Sequence, residues 1–282
     1  MGFLDYLQII IIGIIEGITE WLPVSSTGHM ILFESLWPPK MTDAFSEMFN
    51  VVIQLGAIMA VVVLYFGKLN PFSGKKTPQQ KKETWSIWGK VAVGCLPAAV
   101  LGFLLDDWID EHFFNALVVS IALIAYGLFF VIVETINKNR DPKINDFNSL
   151  SYKVVLFIGF MQVLALIPGT SRSGVTILGA MIIGCSRFIA AEYTFYLAIP
   201  IMFGASGLKA VKYVLKGATV SNNEAIMLAV GCVTSFVVSI ITIKFLMGFI
   251  KKHDFEPFGY YRIILGALIL GIMFNDAFTN LL

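Results

Sequence analysis

Two polar stretches hold residues that could do chemistry. One is Glu16-Gly-Ile-Thr-Glu20, running on to Ser25, Ser26, Thr27 and His29; the other is Pro168-Gly169-Thr170-Ser171-Arg172-Ser173-Gly174. Glu16 and Glu20 are four residues apart, so on a helix they share a face. Two such carboxylates without a counter-charge repel, and one would keep its proton. A divalent cation relieves that repulsion, and carboxylate oxygens suit hard ions such as Mg²⁺ or Ca²⁺. The alternative is a carboxylate paired with Arg172 alone. Arg172 offers a planar fork of donors that matches phosphate oxygens. Gly169, Ser173 and Gly174 leave backbone N–H groups open at the start of a following helix, where anions bind readily. Thr170, Ser171 and Ser173 add hydroxyls. The set reads as a phosphate cradle; the alternative is a capped helix start with an incidental arginine.

Ser25, Ser26, Thr27 and His29 extend the constellation. His29 follows Ser26 by three residues, within reach around a turn. A histidine can serve as general base, general acid or phosphate acceptor, or as a structural donor. If Ser26 attacks phosphorus, His29 is its natural base; if His29 attacks, Ser26 is a hydrogen-bond donor. Both assignments stay open at this level. Glu20, Ser26, His29 and Arg172 are thus the catalytic candidates, with Glu16 and Glu20 the metal ligands. Gln54, one turn from Asn50, is a candidate for the wall of the same site.

These residues need a scaffold at membrane depth. The chain is 57% hydrophobic and 14% charged, with a mean hydropathy of +0.80, against about 25% charged in a soluble domain. Apolar runs cover 49–66, 91–105, 117–133, 190–208, 225–249 and 263–274. Several approach the roughly 20 residues that cross a bilayer as a helix. The expected fold is an all-α polytopic membrane protein, a single integral domain over 1–282 with about six transmembrane helices. Ionisable groups at that depth are costly, which makes those in the two polar stretches functional candidates. The 24 glycines fit close helix packing in lipid. Cys95, Cys185 and Cys232 match no metal or redox spacing and read as small buried hydrophobes. The net charge of +1 says nothing about partners. No nucleic-acid partner is expected, membrane lipids surround the protein, and a homodimer is compatible with the sequence. No Lys or Arg precedes Lys40, so the apolar start lacks the positive region of a secretory signal. Residues 1–35 are read as part of the mature protein.

Charge places the loops. Lys68, Lys75, Lys76, Lys81, Lys82 and Lys90 mark one basic connection, and Lys138, Arg140, Lys143 and Lys153 a second. Lys251, Lys252 and Arg262 mark a third, while Asp106, Asp107, Asp110 and Glu111 form an acidic loop. Short basic loops favour the cytoplasmic side, which puts the acidic loop outside. One loop disagrees: Lys209, Lys212 and Lys216 also fall outside.

The chain repeats itself. Gly13-Ile-Ile-Glu16 precedes the turn at 23–29, and Gly159-Phe-Met-Gln162 precedes the turn at 168–174, with a one-residue gap in the match. Three apparent spans follow each turn, so the second half enters from the opposite side. That is an inverted-topology repeat, with halves near 1–137 and 150–282. The helix over 4–22 ends at Pro23, and 30–36 is too short to cross. Residues 154–167 and 175–184 repeat this form around Pro168. Both read as re-entrant helical hairpins, because irregular backbone persists at membrane depth only when buried in protein or lining a water-filled cavity. The first dips in from outside and the second from inside, so their tips meet near the midplane. The alternative is a plain span over 4–22 with its turn at the surface.

Four segments carry a family resemblance: Glu16-Gly-Ile-Thr-Glu20, Leu22-Pro-Val-Ser-Ser-Thr-Gly-His29, Phe49-Asn-Val-Val-Ile-Gln-Leu-Gly56 and Pro168-Gly-Thr-Ser-Arg-Ser-Gly174. Over essentially its whole length the chain resembles the undecaprenyl-diphosphate phosphatases of the bacitracin-resistance family. The resemblance implies hydrolysis of the lipid carrier undecaprenyl diphosphate to the monophosphate and phosphate. It also implies recycling of that carrier for peptidoglycan synthesis at a bacterial inner membrane. An active site reached from the outer, periplasmic face, a divalent-cation requirement and a polyprenyl diphosphate lipid as bound partner follow from it. A lateral groove between Phe- and Leu-rich helices would admit the lipid tail. Inverted repeats and midplane polar tips also suit a transporter or flippase of a polyprenyl phosphate lipid. A channel lacks the ring of repeated polar residues that a filter needs.

Overall fold

The computed structural model describes residues 2–279, which are helical with no strand among them beyond a single bridge between Ile144 and Cys185. The first polar stretch joins α1 (Phe3–Thr19) to α2 (Ser26–Leu36). Then come α3 (Asp43–Val52), α4 (Gln54–Leu64), the single turn α5 (Phe66–Leu69), α6 (Pro78–Phe113) and α7 (Ala116–Asn137). The second polar stretch joins α8 (Tyr152–Val163), extended by a 3₁₀ turn at Leu164–Leu166, to α9 (Arg172–Ile182). The chain closes with α10 (Arg187–Leu215), α11 (Asn222–Phe249) and α12 (Glu256–Thr279). Among the described residues, six segments are long and apolar enough to cross a membrane: Asp43–Leu64, Pro78–Leu105, Ala116–Asn137, Arg187–Leu215, Asn222–Phe249 and Glu256–Phe274. The protein is a multi-pass, all-α membrane protein.

The two polar turns are built alike. α1 packs against α2 and α8 against α9, so each pair folds back on itself. Ser25 and Ser171 hold the bend, with φ of 73° and 72°, a region that non-glycine residues seldom enter. Each caps the helix that follows, Ser25 Oγ accepting from the Gly28 N–H and Ser171 Oγ from the Gly174 N–H. Matching these two serines pairs Gly13 with Gly159, Glu16 with Gln162 and Gly28 with Gly174, without a gap. The gap in the sequence match comes from aligning the prolines, which do not occupy equivalent places.

Each folded pair is seated on helices of the other half. α1 packs on α11, where a Cβ at Gly13 would lie 2.8 Å from Thr234 Cβ. α8 packs on α6, where a Cβ at Gly159 would lie 2.4 Å from the Gly94 carbonyl oxygen. These glycines admit another helix backbone.

Four expectations about element ends change. The acidic residues 106–111 do not form a loop, because α6 continues through them to Phe113. Its start at Thr77, with a capping box to Gln80 and Pro78 in the first turn, also takes Lys81, Lys82 and Lys90 into the helix. The span expected at 49–66 is two helices, broken at Ile53. Lys209 and Lys212 are explained by their partners. Lys209 reaches Glu47 at 2.7 Å and Asp110 at 2.5 Å, and Lys212 reaches Asp107 at 2.8 Å. These two lysines are not in a loop: they lie in the last turns of α10, which supplies the counter-charge of the acidic end of the bundle. At the other end, buried Glu134 of α7 accepts from the Arg187 guanidinium and, at 2.8 Å, from the Phe255 N–H.

Candidate active site

The tips of the two folded pairs touch. Glu20 lies in the turn after α1 and Arg172 opens α9. Arg172 Nη2 donates to Glu20 Oε1 at 2.7 Å, and its Nη1 donates to the Thr194 carbonyl at 3.0 Å. The two side chains are only 10% and 11% exposed, so this ion pair is shielded from water. Trp21 lies beneath the guanidinium, 5.8 Å from ring centre to Cζ, and is held edge-on by Phe195. Ser26 Oγ donates to the second oxygen of Glu20 at 3.1 Å. Ser173 Oγ donates to the Glu20 carbonyl at 2.9 Å, a second link between the tips.

A residue expected in a basic loop turns out to clamp both tips. Arg262 is fully buried within α12. Its Nη1 donates to the Pro23 carbonyl at 3.2 Å, and its Nη2 to the Gly169 and Thr170 carbonyls at 2.9 Å each. The preceding residue, Tyr261, stacks on His29, and its hydroxyl lies 2.7 Å from His29 Nε2. His29 Nδ1 lies 2.7 Å from the Ser25 carbonyl. A carbonyl only accepts, so Nδ1 carries the proton in that bond and Nε2 is left to accept from Tyr261. Both ring nitrogens are thereby engaged away from Ser26.

A cavity of about 490 Å³ opens beside the tips. Glu20, Ser25, Ser26, Thr27, Gln54, Gly169, Ser171 and Arg172 line it, so eight of the expected site residues converge there. Ala99, Phe103, Leu166 and Ile201 add apolar lining, and Lys209, which pairs with Glu47 and Asp110, also borders the cavity. The remaining five, Glu16, His29, Thr170, Ser173 and Gly174, lie outside its walls. Part of the expected cradle is consumed by the fold itself: the Gly174 N–H caps onto Ser171, and Ser173 ties the tips. Gly169 has a φ of +86°, and a Cβ there would lie 2.6 Å from the Val119 carbonyl oxygen, so the turn accepts only glycine without strain. Glu16 is 1% exposed, and its Oε1 is buried with no hydrogen-bond partner. Among the described residues, no group of three or more His, Cys, Asp or Glu side chains is arranged to hold a metal ion.

A family model described as bacitracin resistance protein BacA matches residues 9–268. The chain belongs to that family. It is similar to an undecaprenyl-diphosphatase of Enterococcus faecalis, 58% identical over 96% of this chain and 98% of that protein. An undecaprenyl-diphosphatase of Acetivibrio thermocellus is 59% identical over 95% of this chain and 97% of its own. One from Streptococcus thermophilus is 52% identical over 95% and 93%.

Sequence reasoning missed Tyr261, Arg262 and Gln162. Arg262 carries a readable signal, a lone cation inside an apolar run with no acidic neighbour at helical spacing. Gln162 carries another, since it repeats the place of Glu16. Tyr261 has none, because its partner His29 is 232 residues away.

Proposed function

We propose that the chain hydrolyses undecaprenyl diphosphate to undecaprenyl phosphate and inorganic phosphate, recycling the lipid carrier for cell-wall synthesis and conferring bacitracin resistance. The observation that carries this reading is the Arg172–Glu20 contact, which joins two polar tips beside a cavity lined by polar and apolar residues together. A diphosphate on a long isoprenoid chain has both characters.

The roles follow from the bonds. Arg172 spends one N–H on Glu20 and one on Thr194, which fixes the plane of the fork and leaves further N–H groups for the terminal phosphate. Ser171, Ser25 and Thr27 add hydroxyls around that phosphate. Ser26 already donates to Glu20, so Glu20 is the nearest proton acceptor for it, and Ser26 is the favoured nucleophile. Its attack forms a serine–phosphate bond and breaks the bridging P–O bond, releasing undecaprenyl phosphate; water then frees inorganic phosphate and restores Ser26. His29, held between the Ser25 carbonyl and Tyr261, orients the turn that presents Ser26. Glu16 and Glu20 fit a divalent cation as a partial ligand pair, because Glu16 Oε1 is buried and unpartnered and each Glu20 oxygen has spare lone pairs. When bound, such an ion would neutralise the diphosphate and assist the leaving group.

The shared cap geometry and the exchanged seats of α1 and α8 support an inverted repeat, with two re-entrant hairpins meeting at mid-depth. The acidic end at Lys209, Asp107 and Asp110 supports a site open to the outer face of a bacterial inner membrane.

The test is phosphate release from a short-chain prenyl diphosphate by the purified protein in detergent, with and without chelator. Release that stops with chelator and returns with Mg²⁺ or Ca²⁺ is expected. Translocation of a prenyl phosphate across vesicles without any release would overturn the reading in favour of a transporter.

A further inference from the structure

Gln162 lies in the last turn of α8 and lines the cavity, yet only 2% of its surface is exposed. Neither its Nε2 nor its Oε1 has a hydrogen-bond partner. Buried amide groups are normally paired, and each exception calls for an explanation. This one belongs to a residue that lines the cavity beside Ser171 and Arg172.

The surroundings say what a partner would have to be. Gly159 packs on the backbone of Gly94, and Gly102 faces Leu166, so α6 and α8 run side by side here. That register sets Ala98 beside Gln162, and an alanine side chain gives a primary amide nothing to bond. Ser171, Arg172, Phe103 and Leu166 line the same cavity, which therefore offers both polar and apolar surface. Gln162 shares that lining with both kinds of residue. In the matched hairpins Gln162 takes the place of Glu16, so a neutral donor replaces a carboxylate. An anion can approach an amide there without repulsion.

We propose that Gln162 is a substrate-binding residue whose N–H donates to the phosphate that stays on the lipid, at the junction of headgroup and isoprenoid chain. This rests on the phosphatase reading of the site. Arg172 and the hydroxyls account for the terminal phosphate, which leaves the inner phosphate in need of a further donor. The Oε1 atom remains to accept from a water or a protonated phosphate oxygen.

The experiment compares the full-length wild type with Gln162→Leu and Gln162→Glu in detergent. It measures direct binding of a prenyl monophosphate and of inorganic phosphate, together with KM and kcat for a prenyl diphosphate. Losing one hydrogen bond to a charged group should weaken monophosphate binding and raise KM about tenfold in Gln162→Leu. Inorganic phosphate affinity should not change, kcat should stay within about twofold, and Gln162→Glu should bind the monophosphate more weakly still. Thermal stability of Gln162→Leu should equal or exceed the wild type, whereas a purely structural glutamine would lose it. Unchanged monophosphate affinity in Gln162→Leu would overturn the proposal, as would a matching loss of inorganic phosphate binding. Should Gln162→Leu not fold, Gln162→Met takes its place under the same criteria. Monophosphate binding requires no turnover, so a wild type that binds the lipid without releasing phosphate would sink the phosphatase reading and leave the Gln162 comparison intact.

Discussion

At the scale of single residues, the fork of Arg172 is the most exacting feature. Two of its hydrogen bonds run in different directions, to a carboxylate and to a helix carbonyl. Arg172→Lys keeps the charge but cannot make both bonds and face a phosphate as well. It should fold and lose about 100-fold in kcat/KM, the scale of one lost oxyanion donor. Arg172→Ala also strands Glu20 without its cation and should cost about 3 kcal/mol or more in thermal unfolding. Ser26→Ala, Glu20→Gln and His29→Ala should each lose most phosphate release while remaining folded; a fully active purified His29→Ala would remove His29 from the mechanism. The candidates themselves were legible, because a carboxylate or guanidinium stands out in apolar sequence. What each hydroxyl and N–H is already bonded to was not. Ser173 and Gly174 look like free phosphate donors until the fold takes them for its own links.

At the scale of elements, the bends carry the strain. Ser25 and Ser171 pair an uncommon backbone angle with a helix cap, so alanine at either place keeps the angle and loses the cap. Ser171→Ala should lower stability by about 1 kcal/mol. Gly169→Ala is a sharper test when set beside Gly217→Ala. Both glycines have positive φ, +86° and +77°, but a Cβ at Gly217 meets nothing within 4 Å. Gly217→Ala should therefore show only the backbone cost, about 1 kcal/mol. Gly169→Ala should lose clearly more and drag activity down with it, since the Val119 backbone leaves no room. The helices themselves were readable from their apolar runs, but several ends were not. Charge was taken to mean loop, whereas α6 carries lysines at one end and acids at the other within one continuous helix.

At the scale of the molecule, each end of the bundle has its own ionic tie. Glu134 is fully buried and joins α7 to α10 and to the entrance of α12. Glu134→Gln should cost roughly 3 kcal/mol in detergent, as expected when one partner of a buried pair is removed. Lys209→Ala, at the more exposed opposite end, should cost closer to about 1 kcal/mol. The span count and the doubling of the polar turn were visible in the sequence; the exchange of seats between halves was not, because nothing local records which helix a neighbour 200 residues away will meet. That exchange has a consequence for how the protein is made. α1 finds its main seat on α11, which begins only at Asn222. Glu16 and Glu20 therefore leave the ribosome long before the surface that holds their helix exists. A chain halted before residue 222 has made every residue proposed for the chemistry, and still has no place to assemble them.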